Sequence, residues 1–124
     1  MSKQEKTVQV ALAGNPNSGK TTLFNHLTGA RQRVGNFTGV TVTRKEGVVS
    51  HKGWKIKLVD LPGTYSLSSK TVEEKVTREY ILEESPDLIV DIVDAGNLER
   101  NLFLTTQLIE MDIPRVIVLN MIDE

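Results

Sequence analysis

The residues with the clearest chemistry lie near the start of the chain, in Gly14-Asn15-Pro16-Asn17-Ser18-Gly19-Lys20-Thr21. This run fits the pattern G-x-x-x-x-G-K-[ST] at every position. Its two glycines let the backbone turn so that successive N–H groups face inward, where they cradle phosphate oxygens. A helix opening at Lys20 adds the positive end of its dipole at the same place. Lys20 then reaches the terminal phosphates, the Thr21 hydroxyl binds Mg²⁺, and Thr22 extends the binding run. The alternative is a glycine-rich turn that holds nothing. The apolar strand before the loop and the helical pattern after it speak against that. Asn17 admits two readings. Asn tolerates the left-handed backbone such a loop needs, and its amide oxygen also suits a monovalent cation beside the phosphates.

Two further motifs follow in order. Asp60-Leu61-Pro62-Gly63 closes an apolar strand. A carboxylate there holds Mg²⁺ through water, and the Gly63 N–H faces the last phosphate. Taken alone, Asp60 reads equally well as a helix cap or turn former. In many GTPases a glutamine after that glycine orients the attacking water, but here the residue is Thr64. Its hydroxyl is shorter, so hydrolysis is expected to be slow or to use another group. Asn120-Met121-Ile122-Asp123 follows another apolar strand. This N-x-x-D pattern reads a base: the Asp123 carboxylate accepts hydrogen bonds from the N1–H and 2-amino group of guanine, which adenine cannot offer. The flexible thioether of Met121 suits the ring face. Between the first two motifs lie two candidate hydroxyls for the Mg²⁺ shell, Thr38 and Thr41. Thr41 is preferred because it stands at the edge of a strand.

These motifs need strands that end where they begin. Apolar runs at Val8–Ala13, Leu88–Val93 and Arg115–Leu119 read as strands. Thr41–Ser50 and Lys55–Asp60 read as two more, too close together for a parallel crossover and so antiparallel. Helices are expected over Lys20–Leu27, Val72–Glu83 with Val72, Val76 and Tyr80 on one face, and Leu98–Met111 with Leu104, Leu108 and Met111 on one stripe. Residues 29–39, with Gly29, Gly35 and Gly39, read as a mobile loop. The alternation gives an α/β domain with a mostly parallel sheet and one antiparallel strand pair. The last strand has no helix after it, which suggests a domain cut short after its fifth strand.

At 124 residues the chain suits one domain. Fifteen Lys plus Arg against 16 Asp plus Glu leave a formal charge of −1, which argues against a nucleic-acid binder acting through charge. There is no cysteine, so disulfides, thiolate metal sites and cysteine nucleophiles are excluded. Met1–Lys6 lacks the apolar core of a signal peptide, and no run approaches the roughly 20 apolar residues of a membrane-spanning helix. Asp91 interrupts an apolar strand with no partner in view, and a partly wet face near the sheet end is expected for it. His26 and His51 read as ordinary polar positions, Trp54 as partly buried packing, and Arg44-Lys45 and Glu73-Glu74-Lys75 as solvated faces.

The chain resembles the G domain of the ferrous iron transport protein B (FeoB) family. The resemblance rests on Gly14–Thr21 continued by Thr22-Leu23-Phe24-Asn25, on Val34-Gly35-Asn36-Phe37 with Gly39-Val40-Thr41-Val42, on Asp60–Leu67, and on Asn97-Leu98-Glu99-Arg100-Asn101-Leu102. It implies a Ras-like P-loop domain that binds GTP or GDP with Mg²⁺. It also implies slow hydrolysis, potassium stimulation through Asn17, and Thr41 as the Mg²⁺-sensing threonine. Catalysis would then rest on Lys20, Asn17, Thr41 and the Gly63 amide. Gly35–Thr41 and Gly63–Lys70 would be the two switches. The resemblance places the domain on the cytoplasmic side of a bacterial or archaeal Fe²⁺ permease, with helical and transmembrane domains as partners; direct iron binding is not expected, because the sequence holds no cysteine or histidine cluster. Family members continue beyond the base-reading motif, and Thr38 stands where they often carry Pro or Ala. The rivals are a ribosome-assembly GTPase with the same core and a nucleotide sensor without hydrolysis.

Overall fold

A computed structural model describes residues 6–121. Asp123, the expected base-reading carboxylate, lies outside the described residues, as do Ile122 and Met1–Glu5. The described part is a six-stranded sheet in the order β2-β3-β4-β1-β5-β6. The strands are β1 (Lys6–Gly14), β2 (Gln32–Asn36), β3 (Thr43–His51), β4 (Trp54–Asp60), β5 (Leu88–Asp94) and β6 (Arg115–Asn120). The helices are α1 (Lys20–Thr28), α2 (Val72–Glu84) and α3 (Leu98–Glu110). β1 pairs in parallel with β4 and β5, and β5 with β6.

The mostly parallel sheet stands, with one strand more than the sequence indicates. Residues expected as a mobile loop supply β2, antiparallel to β3 from Gln32↔Gly47 to Asn36↔Thr43. β3 in turn is antiparallel to β4, as expected, and its register brings His51 opposite Trp54 across a two-residue turn. The sheet therefore carries two antiparallel pairs rather than one, and the final strand is the sixth. β2 escapes a pattern reading because four of its five residues are exposed. Backbone pairing alone makes it a strand, and no apolar alternation marks it.

β1 shows why the sheet is buried on both faces. Ala11 and Ala13 point into a cluster with Val59, Leu61, Ile89, Val76, Ile81, Leu104 and Leu108 beneath α2 and α3. Val10 and Leu12 point the other way, to Phe24 of α1, Leu58 and Ile92. Two helices thus cover one face and a single helix the other. α2 begins at a Thr71 cap whose hydroxyl accepts from the Glu74 N–H at 3.1 Å. Val76 and Tyr80 are buried as expected, but Val72, in the first turn, is exposed. Leu104 and Leu108 of α3 are buried, and Met111 packs against the same cluster.

Three polar expectations change. Asp91 is not wet: it is 1% exposed, and the Thr105 hydroxyl of α3 donates to its carboxylate. Glu74 is buried too, where its carboxylate accepts from the Ser66 hydroxyl at 3.0 Å and the Lys70 N–H at 3.3 Å. Arg44 is partly buried rather than solvated, with its guanidinium lying over aromatic rings.

Candidate functional site

β1 and β4 end side by side, with Leu12 opposite Asp60. This register delivers the Gly14–Thr21 loop and the Asp60–Gly63 loop to the same edge of the sheet. The Thr64 N–H donates to the Gly14 carbonyl at 3.1 Å, and the Leu61 N–H to that of Leu12 at 3.1 Å. Those bonds stitch the second loop against the first. Gly63 then lies so close that an added methyl would sit 3.0 Å from the Pro16 Cα.

Within the first loop, Asn17 (φ 67°) and Gly19 (φ 92°) are left-handed. The Ser18 N–H donates to the Asn15 carbonyl at 3.1 Å and closes the turn. Gly19 is required twice over. Its backbone is left-handed, and a methyl there would fall 2.2 Å from the Asn120 side-chain nitrogen. That nitrogen is where it is because it donates to the Ser18 carbonyl at 3.1 Å. Asn120 thus clamps the loop from the end of β6, a role the motif reading did not give it. The pattern located the residue but could not reveal the bond.

The loop encloses a cavity of about 310 Å³ lined by Asn15, Pro16, Asn17, Gly19, Lys20, Thr21, Thr22 and Gly63. The ammonium of Lys20, one of the lining residues, is ion-paired with Asp60 Oδ1, both side chains nearly dry. The Thr21 hydroxyl donates to Asp60 Oδ2 at 3.1 Å. Ammonium, hydroxyl and carboxylate therefore meet at one point. Behind the loop, a polar hollow of about 140 Å³ is lined by Asn15, Ser18, Asp94, Asn97, Arg100 and Asn101, among others. Both side-chain polar atoms of Asn15, and the Ser18 hydroxyl, are buried there without a hydrogen-bond partner among the described residues.

The remaining expected residues are less assembled. Thr41 is exposed and is not in the cavity wall. Met121 is exposed beyond β6. Thr64 is buried, with its backbone in the stitch described above. Sequence reasoning missed the side chains that pin the loop after Gly63. The Leu67 N–H donates to Gln107 at 2.5 Å, and Arg100 stacks 4.1 Å from the Tyr65 ring centre. Arg100 falls in a run that carries the family likeness, whereas nothing in the local pattern singles out Gln107.

Comparisons with known proteins fit this geometry. The family model described as ferrous iron transport protein B matches residues 8–124. The Fe(2+) transporter FeoB of Shigella flexneri is 57% identical over 122 residues, which is 95% of this chain and 16% of that relative. The chain thus spans about a sixth of the length of the curated relatives it matches. The crystal structure of the G domain of the T. maritima FeoB iron transporter superposes with a TM-score of 0.87 at 48% identity, covering 91% of this chain and 71% of that one. A mutant of S. thermophilus NFeoB bound to mGDP gives 0.87 at 56% identity, covering 94% of this chain and 44% of that one.

Proposed function

The chain belongs to the ferrous iron transport protein B family, and on that premise we propose that it is the GTP- and GDP-binding G domain of an Fe²⁺ transporter, hydrolysing GTP slowly. The observation that carries the reading is that Lys20 and Thr21, which line a cavity formed by a left-handed glycine loop, both engage Asp60. That donor set fits Mg²⁺, a hard cation that takes oxygen ligands. Thr21 and Asp60 would hold the ion, with Thr41 joining them when a third phosphate is present. Mg²⁺ would supply neutralisation of charge developing on the phosphates.

The chain's own groups do the rest. The loop amides of Asn15 and of Asn17 to Thr22 bind phosphate oxygens, with Pro16, which has no N–H, lining the loop and Gly14 and Gly19 shaping the turn. Lys20 exchanges its partner, leaving Asp60 for the phosphates. The Gly63 N–H faces the last phosphate, and Asn17 lends its amide oxygen to K⁺. Asn120, Met121 and Asp123 receive the guanine. Thr64 carries no side-chain amide to orient water, so hydrolysis rests on electrostatic stabilisation and is slow. The partners are the helical and transmembrane parts of the transporter on the cytoplasmic side of the membrane. Iron is cargo and does not bind this domain.

Titration with fluorescent GDP and ADP analogues, with Mg²⁺ and K⁺ present, tests the binding claim. Preference for GDP is expected, and equal affinity or preference for ADP overturns the guanine reading. Single-turnover hydrolysis in K⁺ against Na⁺ tests the rest: faster turnover in K⁺, lost in Asn17→Ala, is expected. Absence of turnover in both salts leaves a nucleotide sensor instead of an enzyme.

A further inference from the structure

The loop that carries Thr41 is fastened elsewhere. Residues 37–42 fold on themselves, the Phe37 N–H donating to the Val42 carbonyl at 3.0 Å and the Val40 N–H to that of Phe37 at 3.2 Å. Phe37 is only 6% exposed, driven into the cluster beneath α2. Its ring meets Tyr80 edge-on, with centroids 6.2 Å apart at 81°. The Tyr80 hydroxyl accepts from the Gln9 amide at 2.6 Å, so the receiving ring is itself fixed to β1.

Arg44 closes this arrangement. Its guanidinium lies 5.3 Å from the centre of the Phe37 ring and 5.4 Å from that of Tyr80. The same group forks onto Glu84, the last residue of α2, at 2.7 and 3.1 Å, and reaches Glu46 at 3.0 Å. A planar guanidinium with five donors can stack on rings and grip a carboxylate at once, which a lysine cannot. The bond to Glu84 is the main reason its pKa is held above the usual arginine value.

We infer that Arg44 is a positioning residue: it clasps the loop to α2 in the state where Thr41 faces solvent, and so sets how strongly the chain distinguishes a nucleoside triphosphate from a diphosphate. The inference rests on the proposed role of Thr41 at the phosphate cavity. A triphosphate that draws on Thr41 must release the clasp, whereas a diphosphate does not. Binding of the triphosphate is therefore weakened by the fraction of molecules still clasped.

The test is to measure affinity for a non-hydrolysable GTP analogue and for GDP in the intact protein, with Mg²⁺, in a set of variants. Arg44→Ala and Glu84→Gln are expected to tighten the GTP analogue roughly 10-fold, equivalent to about 1.4 kcal/mol, with GDP affinity unchanged. Arg44→Lys, which keeps the charge and loses the fork, falls between. The gain is expected to vanish when Thr41→Ala is added. Parallel loss of affinity for both nucleotides would mark a merely structural Arg44 and overturn the clasp. So would an unchanged GTP-to-GDP ratio, and if Thr41→Ala alone still weakened the GTP analogue, the Thr41 reading would survive. If Thr41→Ala leaves the ratio unchanged, that reading fails and the clasp fails with it. Glu84→Gln leaves Arg44 and its stacking in place, so it carries the test if Arg44→Ala does not fold.

Discussion

Lys20 and Asp60 give up nearly all their water to meet beside the phosphate loop. A pair this dry is costly to break from one side, because the survivor is left charged and unmatched. Lys20→Met is therefore expected to lower unfolding free energy by about 3 kcal/mol or more, and adding Asp60→Asn to recover part of it. Urea denaturation of the single and double variants checks this; strict additivity would show that the two groups do not depend on each other. Asp91 makes the opposite case. Burial raises its carboxyl pKa above the ordinary value of 3.8, and the Thr105 hydroxyl only partly opposes this. The folded protein then holds that proton more tightly than the unfolded chain. Stability linked to the group is complete below the unfolded value and declines as pH rises through the folded one. Asp91→Asn keeps an acceptor for Thr105 and removes the ionisable group. The variant is expected to melt higher than the parent at pH 7, with the two curves converging toward pH 4; a constant gap across that range would refute the assignment.

At the level of elements, α1 and β3 meet so closely that one hydrogen atom decides the contact. A methyl on Gly47 would lie 2.2 Å from Thr28 Cγ2. Gly47→Ala is expected to cost about 1–3 kcal/mol, the usual range for overpacking a tight interior. Thr28→Ser, which removes that methyl but keeps the hydroxyl bonded to the Phe24 carbonyl at 2.8 Å, is expected to restore part of the loss. Thermal melts of the two single variants and the double show whether it does. The same scale explains what could be read from the residues alone. β1 and β5 were legible because burial on two faces demands long apolar runs, β6 because its run is apolar although much of it is exposed, and the phosphate loop because its glycines and lysine follow a fixed spacing. β2 was not, since its residues face water and its partner is chosen by backbone pairing. Nor was the hold on Asp91, because Thr105 lies on another element, and placing it there needs the sheet-to-helix packing. The exposure of Val72 shows the limit of periodicity: the helical stripe is real, but its first turn overhangs the core.

Across the whole molecule, apolar surface is unevenly covered. Among the described residues β6 lies at the edge of the sheet, with Val116, Ile117 and Leu119 exposed, Leu119 to 66%. A hollow of about 240 Å³ opens between β6 and α1, lined by Leu23, His26, Ile92 and Val118 with Thr22 and Asn120. An open edge of this kind is a template for pairing with another chain. The 124-residue chain is therefore expected to associate as its concentration rises, and Leu119→Lys to shift the sedimenting species back toward monomer. An unchanged distribution in that variant would show the edge is not the contact. The Asn120 clamp on Ser18 has a consequence in time as well as in space. It joins residues 102 positions apart, and contacts of such long sequence separation form late on average, since loop closure must precede them. The phosphate loop would then take its final shape only as β6 docks, near the end of folding. A nucleotide that waits for that shape cannot hasten the rate-limiting step; it can only hold the finished molecule together. Added GDP is expected to slow unfolding in a stopped-flow denaturant series and to leave the refolding limb where it was.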